Sequence, residues 1–546
     1  MRGVGSTATG GNTNRQEEKI MGKKIVTFDS TLRDGMQGEG IAFSVEDKLN
    51  IVRALDHLGI DFIEAGNPGS NPKDLEFFRA LKGERPKHAR LCAFGSTRRK
   101  DIMPDEDINV TSLLEAETPA VSIFGKAWDL HVLKVLGTTL EENLNMIEST
   151  VAYMKRHDKY VVFDAEHFFD GYTANPEYAM LALDAAIRGG ADVLCLCDTN
   201  GGMYPTDIAD ITRRVVSTFP EAEVGIHCHN DTGMAVSQTM MAVDSGATQV
   251  QGTFIGYGER CGNANLSTII PNLELKRGYT VLGKENLKKL TETARAIADI
   301  SNIWLPSGSP YVGSSAFAHK GGMHIDGVKK IRESFEHVDP QSVGNNRRFL
   351  MSEVSGKATI LKKIQRVDPS VQPKDTVVGE LVDKLKQLEF EGYQFEAAEQ
   401  SFELVIRRIL GKYKKYFELE YFKIIGEQPL KDQEYPSSAI IKVKVGSESR
   451  ITGAEGDGPV HALDLALRNA LKGFYPSLRD MRLIDYKVRV LESSATTAAK
   501  VRVLIESTDG KHRWNTVGVS TDIIEASFLA LTDSIEYKLT LDESEK

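Results

Sequence analysis

Cysteine is scarce in this sequence. Only five occur among 546 residues, and such an odd, sparse set excludes the dense disulfide framework of small secreted proteins. The sequence also lacks any run of roughly 20 apolar residues, the length that a membrane-spanning helix needs, and its N-terminus has no apolar signal core. We therefore expect a protein of the reducing cytoplasm that does not associate with membranes.

An excess of basic residues is missing too. Lysine and arginine number 67 against 77 acidic residues, which gives a net charge of −10. A protein that binds a phosphate backbone needs a basic face, so we expect no nucleic-acid partner. Hydrophobic residues make up 41% and charged residues 26% of the chain, a balance typical of globular enzymes rather than of disordered chains.

Short apolar runs alternate with longer amphipathic segments over the first half of the chain. Eight of these runs end in polar residues and are predicted as strands: residues 25–29, 62–65, 90–94, 120–124, 160–164, 193–197, 224–228 and 249–254. Eight strand–helix units in this length favour a closed (β/α)8 TIM barrel over an open doubly wound sheet. The polar residues just past the strand ends would then share one face, where such barrels carry their active sites.

The pattern changes along the rest of the chain, so we expect an α/β protein with four parts. Residues 1–22 are predicted as a disordered leader and residues 23–303 as the catalytic barrel. Residues 304–425, which start near the Pro/Gly/Ser-rich segment LPSGSPY, are predicted as helical linker subdomains. Residues 426–546 are predicted as an α+β domain with an internal repeat, because strand and helix patterns recur at 439–471 and 500–535.

Two predicted strand ends carry metal-ligating residue types. His227 and His229 are two positions apart on one strand and therefore face the same side. Asp34 follows the first strand, and the three residues would form a 2-His-1-carboxylate set that leaves coordination positions open for substrate. Mg²⁺, Mn²⁺ and Zn²⁺ all suit such a set. A competing zinc site would use Cys195 and Cys197, although thiols on a barrel strand more often pack.

Four further residues at predicted strand ends suit the binding of a small substrate. Arg33 can hold a carbonyl oxygen or an oxyanion, and Glu166 can orient a substrate or relay a proton. Thr199 can donate a hydrogen bond to a substrate carboxylate. The glycine-rich segment from Gly256 onward presents Asn263, which offers a neutral oxygen ligand. Each motif alone is also consistent with an ordinary turn or ion pair, but polar motifs at five strand ends together favour catalysis.

Three of these motifs together resemble a known enzyme family. They are TLRDG at 31–35, HCHND at 227–231 and GERCGN at 258–263. The sequence is similar to the acyltransferases that condense acetyl-CoA with a 2-oxo acid, which include the 2-isopropylmalate, homocitrate and citramalate synthases. The resemblance extends from residue 23 to residue 539. It implies a catalytic barrel, helical subdomains and a C-terminal regulatory domain.

The resemblance also implies roles for individual residues. It assigns the divalent metal to Asp34, His227 and His229, with Asn263 completing or supporting the set. Arg33 would stabilise the oxygen of the 2-oxo group, and Glu166 and Thr199 would contact the substrate. His324, with help from Glu166, would take a proton from the acetyl methyl group and would reach the barrel of a partner subunit. A homodimer and feedback inhibition by isoleucine or leucine are implied as well.

Within the family, residues 164–176 (DAEHFFDGYTANP) resemble the citramalate synthase branch. This branch condenses acetyl-CoA with pyruvate to give (R)-citramalate, the first step of a route to isoleucine. The alternative is a 2-isopropylmalate synthase, with 3-methyl-2-oxobutanoate as the acceptor. Phe335 stands where the family often has tyrosine, so a proton-donating role would pass to water, His319 or another group. A lyase of the same barrel family and a non-catalytic amino-acid sensor are the two rivals from other classes.

Overall fold

The computed structural model describes residues 22–70, 72–83, 85–349, 357–395, 397–426, 437–491 and 499–545. The chain divides into two compact units, Met1–Ala318 with Glu336–Arg348, and His319–Phe335 with Phe349–Lys546. The predicted leader, residues 1–22, lies outside the described residues apart from Gly22. In the part of the chain that is described, no helix is both long and apolar enough to cross a membrane.

The first unit is a closed barrel of eight parallel strands that follow one another in chain order. The strands are β1 Val26–Asp29, β2 Phe62–Glu64, β3 Arg90–Ser96, β4 Ala120–Lys126, β5 Tyr160–Glu166, β6 Val193–Asp198, β7 Glu223–Cys228 and β8 Gln249–Gly252. The barrel closes where β8 pairs with β1, with Gln249 opposite Val26. The predicted TIM barrel is therefore confirmed, and each strand end lies within two residues of its predicted position.

Helices follow the strands around the barrel. They are α1 Val45–Leu58, α2 Pro72–Leu81, α3 Ile108–Glu115, α4 Leu140–Arg156, α5 Phe168–Ala174, α6 Pro176–Gly189, α7 Pro205–Thr218, α8 Ala235–Asp244, α9 Leu266–Pro271 and α10 Leu290–Ile300. Helix α1 shows why the sequence starts and ends a helix where it does. Ser44 and Asp47 form a reciprocal capping box before the first turn, and Gly59 takes a left-handed conformation (φ 97°) after the last one.

The barrel interior is filled by side chains that the strands turn inward. This inner cluster consists of Phe28, Phe62, Cys92, Ala120, Val162, Val193, Cys195 and Cys197. A larger apolar cluster lies between the strands and the helices that surround them. Because the inner cluster is packed, the barrel is not a pore.

The second unit combines helices with two antiparallel sheets. Its helices are α11 Gly322–Lys330, α12 Lys357–Val367, α13 Thr376–Glu391, α14 Glu399–Ile409, α15 Pro459–Leu471 and α16 Ile523–Ser544. Two short strands, β9 Ala318–His319 and β10 Arg348–Phe349, lie where the two units adjoin in sequence. The sheet strands are β11 Glu418–Gly426, β12 Ser437–Val445, β13 Glu448–Gly456, β14 Arg482–Val490, β15 Val501–Thr508 and β16 Arg513–Ser520.

The predicted internal repeat is confirmed by these two sheets. One has the order β11-β12-β13 and packs on α15, and the other has the order β14-β15-β16 and packs on α16. Strands β11, β13 and β14 were not predicted, because their side chains are mostly exposed or half-buried and show little apolar alternation. The glycine-rich segment at 453–458 ends β13, where a Cβ at Gly456 would lie 2.6 Å from the backbone nitrogen of Ala462.

Candidate metal centre and active site

Three side chains of metal-ligating types meet at the carboxyl ends of β1 and β7. Nε2 of His227 lies 3.5 Å and Nε2 of His229 lies 3.7 Å from Oδ2 of Asp34. The ligand atoms of all three residues lie within 4.8 Å of one another, and all three residues are buried. Cys228, between the two histidines, packs into the outer core instead. The geometry that the His-x-His spacing predicts is thus present, while the metal itself stays a prediction.

Asn263 completes this cluster from the loop after β8. Its Nδ2 donates a hydrogen bond of 3.0 Å to Oδ1 of Asp34, and its Oδ1 is buried without a hydrogen-bond partner among the described residues. The glycines of the loop allow this approach, because a Cβ at Gly258 would lie 2.2 Å from Nδ2 of Asn263. An unpartnered buried carbonyl oxygen on a residue that contacts Asp34 is a group that a cation could satisfy.

The pKa shifts of Asp34 and His229 suit a divalent cation, whereas a cation would displace the proton that Asp34 favours on His227. Burial would raise the pKa of Asp34, but the charges of Arg33 and His227 hold it well below its usual range. Burial lowers the pKa of His229 to about 4, so this imidazole is neutral near pH 7. Burial also acts to lower the pKa of His227, but its hydrogen bond to Asp34 raises it overall. One carboxylate and two imidazoles fit Mg²⁺, Mn²⁺ or Zn²⁺.

Arg33 lies beside the cluster in a fixed orientation. Its Nη1 donates to Oδ2 of Asp34 at 2.8 Å, and its Nε donates to Oε2 of Glu64 at 2.6 Å. The guanidinium carbon lies 4.0 Å from the centre of the Phe94 ring, over its face. Oγ of Ser30 also donates to Oε2 of Glu64, at 2.5 Å. Two carboxylates and one aromatic face therefore hold the guanidinium plane in place.

Glu166 and Thr199 lie at the same end of the barrel, where Glu166 is the last residue of β5 and Thr199 follows β6. Glu166 forms an ion pair with Lys126, which ends β4. Oγ1 of Thr199 accepts a hydrogen bond of 2.9 Å from the backbone N–H of His167. His167 has a φ of 55°, a left-handed conformation that is unusual for a residue other than glycine. Both predicted substrate-contacting side chains are therefore held by neighbours from adjacent strands.

His324 belongs to the second compact unit rather than to the barrel unit. It lies on α11, is exposed, and stacks on the ring of Phe335 with the ring centroids 4.4 Å apart. Phe335 is 43% exposed. The residue that replaces the tyrosine of the family thus contacts the histidine that the resemblance identifies as the base, and the role of His324 stays a prediction.

The competing cysteine cluster is also present in the barrel. Ligand atoms of Asp164, Cys195 and Cys197 lie within 4.8 Å of one another, and all three residues are buried. Burial raises the pKa of the Cys195 thiol well above its usual value. Both thiols also belong to the packed inner cluster. These observations favour a packing role for the two cysteines.

Sequence reasoning missed three residues that hold the site together. Glu64 fixes Arg33, Lys126 pairs with Glu166, and Gln251 lies 3.0 Å from Nδ1 of His227. A signal existed for two of them, since Glu64 interrupts an apolar strand and Gln251 is an inward polar residue of β8. Lys126 carried no such signal, because it falls two residues beyond the predicted strand.

Comparisons with known proteins agree with this architecture. The family model described as HMGL-like matches residues 24–297. The model described as homocitrate synthase post-HMGL domain-like matches residues 311–392, and that of the LeuA allosteric (dimerisation) domain matches residues 396–539. The three matches follow one another along the chain and together extend from residue 24 to residue 539.

Several curated proteins are similar over nearly the whole chain. The (R)-citramalate synthase of Aquifex aeolicus is 53% identical over 96% of this chain and 99% of its own length. That of Geobacter sulfurreducens is 49% identical over 95% of this chain and 98% of its own length. The 2-isopropylmalate synthase of Cronobacter sakazakii is 31% identical over 96% of this chain and 97% of its own length.

Proposed function

The chain belongs to the HMGL-like family of enzymes, and its similar relatives include transferases named (R)-citramalate synthase. From this premise we propose that it condenses acetyl-CoA with pyruvate and water to give (R)-citramalate and CoA. The observation that carries the proposal is the convergence of Asp34, His227 and His229 beside Arg33 at the barrel mouth. The lower identity of the 2-isopropylmalate synthases, 31% against 53%, favours pyruvate over 3-methyl-2-oxobutanoate.

The buried cluster defines where the 2-oxo acid binds. Asp34, His227 and His229 would hold a divalent cation with Oδ1 of Asn263 in support, and the chemistry that this cation supplies is Lewis-acid polarisation of the 2-oxo group. The unpartnered Oδ1 of Asn263 supports its place in the set. The narrow spacing of the donors supports one ion rather than two.

Arg33 stabilises the oxygen of the 2-oxo group as it becomes an alkoxide. Its Nε and Nη1 are committed to Glu64 and Asp34. In the described part of the chain no protein atom accepts a hydrogen bond from its Nη2, which leaves this group for a substrate oxygen. A donor that is already oriented needs no rearrangement when charge develops, and this is how a preorganised site lowers a barrier.

Thr199 and Glu166 position the reactants. Because Oγ1 of Thr199 accepts the N–H of His167, its own hydroxyl hydrogen can donate to the pyruvate carboxylate. The ion pair with Lys126 fixes the Glu166 carboxylate near the reacting methyl group. His324 takes the methyl proton as the general base, from α11 of the partner subunit in a homodimer.

The reaction balances in two steps. The acetyl methyl group gives one proton to the base, its carbon bonds to C2 of pyruvate, and the keto oxygen takes up a proton to become a hydroxyl group. Water then cleaves the thioester, so that CoA leaves as a thiol, the new carboxylate belongs to citramalate and one proton is released. No oxidant, reductant or nucleotide is consumed.

The C-terminal domain is the regulatory part of the proposal. The match to the LeuA allosteric (dimerisation) domain and the two related sheet–helix units support a homodimer that binds an end-product amino acid, isoleucine or leucine. The five cysteines are all free thiols, which supports a cytoplasmic location. Titration of CoA release with each amino acid identifies the inhibitor.

A panel of acceptors tests the proposed reaction. CoA release is followed with a thiol reagent for pyruvate, 3-methyl-2-oxobutanoate, 2-oxobutanoate and 2-oxoglutarate, with Asp34→Ala as the inactive control. We expect pyruvate to give the highest kcat/KM and chiral chromatography to identify (R)-citramalate. A higher kcat/KM for 3-methyl-2-oxobutanoate would assign the chain to leucine biosynthesis instead.

A further inference from the structure

A buried chain of hydrogen bonds leads through the barrel interior to the candidate metal centre. Oγ of Ser122 donates to Oδ2 of Asp164 at 2.6 Å, and Nε2 of Gln251 donates to Oδ1 of Asp164 at 3.2 Å. Nδ1 of His227 lies 3.0 Å from Oε1 of Gln251. The four side chains are 4% exposed or less. This series of hydrogen bonds thus connects β4, β5, β8 and β7, and it ends on His227, a candidate metal ligand.

The chemistry of the groups fixes the direction of each hydrogen bond. A carboxylate only accepts, so the amide nitrogen of Gln251 must face Asp164 and its carbonyl oxygen must face His227. The same nitrogen also lies 3.2 Å from Oε1 of Gln249, but the Nε2 of Gln249 has no hydrogen-bond partner among the described residues, so it is Asp164 that fixes the orientation of the Gln251 amide. Since a carbonyl oxygen only accepts, Nδ1 of His227 carries a hydrogen and donates it.

This direction determines which nitrogen of His227 can bind a cation. In a neutral imidazole one nitrogen carries the hydrogen and the other carries the lone pair. With the hydrogen on Nδ1, the lone pair lies on Nε2, and Nε2 is the atom that lies 3.5 Å from Asp34. A flipped Gln251 would turn its amide hydrogens toward Nδ1 and place the hydrogen of His227 on Nε2, where it would block coordination.

We propose that Gln251 is a positioning residue of the metal centre, which holds His227 in the tautomer that binds a cation, and that Asp164 sets the orientation of Gln251. The inference rests on the proposed function and deepens it. It also gives Asp164 a role inside the protein, since its two carboxylate oxygens accept hydrogen bonds from Ser122 and Gln251.

Binding of Mn²⁺ to the full-length, EDTA-stripped protein tests this role without any turnover. The Kd is measured by electron paramagnetic resonance for the wild type and for Gln251→Leu, with thermal melting as the folding control. Loss of a residue that orients a metal ligand typically weakens binding about 10- to 100-fold, and we expect a rise of this size. Gln249→Leu is the matched control, because Gln249 is buried in the same strand and bonds Gln251. We expect its Kd within threefold of the wild type.

Exchanging the carboxylate and the amide between positions 164 and 251 distinguishes a role of Gln251 in orienting His227 from a role in packing. Gln251→Glu alone would place two carboxylates together, and we expect it to weaken Mn²⁺ binding at least tenfold. In the double variant Asp164→Asn with Gln251→Glu, the amide at 164 can donate to the carboxylate at 251, which can accept from Nδ1 of His227. We therefore expect the double variant to bind Mn²⁺ within threefold of the wild type, a rescue that a purely structural role would not give.

Two results would overturn the inference, and they differ from failure of the proposed function. One is a Gln251→Leu protein whose Kd stays within threefold of the wild type while Asp34→Ala abolishes binding. The other is a double variant, Asp164→Asn with Gln251→Glu, that binds Mn²⁺ no better than Gln251→Glu alone. This second comparison tests the inference even where Gln251→Leu does not fold. A wild-type protein that takes up no Mn²⁺ would overturn the proposed metal centre together with this inference.

Discussion

Replacement of Arg33 by lysine probes the preorganisation of the site while it keeps the positive charge. Arg33 donates from Nε to Glu64 at 2.6 Å and from Nη1 to Asp34 at 2.8 Å, and its side chain is only 12% exposed. A lysine ammonium is a single point of charge. It can pair with one carboxylate, but it cannot bridge both and also present a donor to the substrate oxygen.

The size of the effect follows from the contacts that are lost. Loss of one preorganised donor to a developing oxyanion costs about 100- to 1,000-fold in kcat, and we expect a fall of this size for Arg33→Lys. Loss of one charge-assisted hydrogen bond costs ~1.5–3 kcal/mol of stability, so the protein should stay folded. The assay is steady-state CoA release with varied pyruvate, together with thermal melting monitored by circular dichroism.

Arg468→Lys is the matched control for this substitution. Arg468 is also partly buried, with 15% of its side chain exposed, and it pairs with Asp464 and donates to the carbonyl oxygen of Met481 at 2.7 Å. It lies in the second compact unit, so we expect kcat within threefold of the wild type. A kcat for Arg33→Lys within tenfold of the wild type would refute the assignment of Arg33 to the alkoxide.

Three further outcomes are expected. Treatment with EDTA should abolish CoA release, and Mn²⁺ or Mg²⁺ should restore it; full activity after verified metal removal would argue against the metal centre. Gly258→Ala should lower kcat more than tenfold, because the added Cβ would lie 2.2 Å from Nδ2 of Asn263. Gly202→Ala is the control and should have little effect, because the space around its added Cβ is open. Equal kcat values for the two variants would contradict the proposed place of Asn263. Isoleucine or leucine should inhibit CoA release, and insensitivity to both would remove the feedback role of the C-terminal domain.

Much of the barrel could be predicted because its signals are local. A strand that is buried on both faces has a short apolar run as its sequence, and a polar residue after the run marks the end of the strand. The two-residue spacing of His227 and His229 predicts their common direction, because side chains alternate along a strand. The place of Asp34 beside them follows once eight parallel strands are known to close into a barrel.

The contacts that hold the site in place were harder to predict, because they depend on register between distant strands. Lys126 meets Glu166 only because β4 pairs with β5 at these two residues. Gln251 reaches both His227 and Asp164, which are separated by 63 positions in the sequence, across the barrel interior. Strands β11, β13 and β14 were missed for a different reason, because edge strands with exposed faces carry weak apolar alternation.

The central claim is that one cation is shared by residues from the two ends of the barrel sequence. Anomalous X-ray scattering from a crystal of the full-length protein grown with Mn²⁺ tests it most directly. We predict a single strong peak for one Mn²⁺ ion that is bonded to Oδ2 of Asp34 and to Nε2 of both His227 and His229. A Mn²⁺ peak elsewhere, such as beside Cys195 and Cys197, with none at Asp34, would contradict the account.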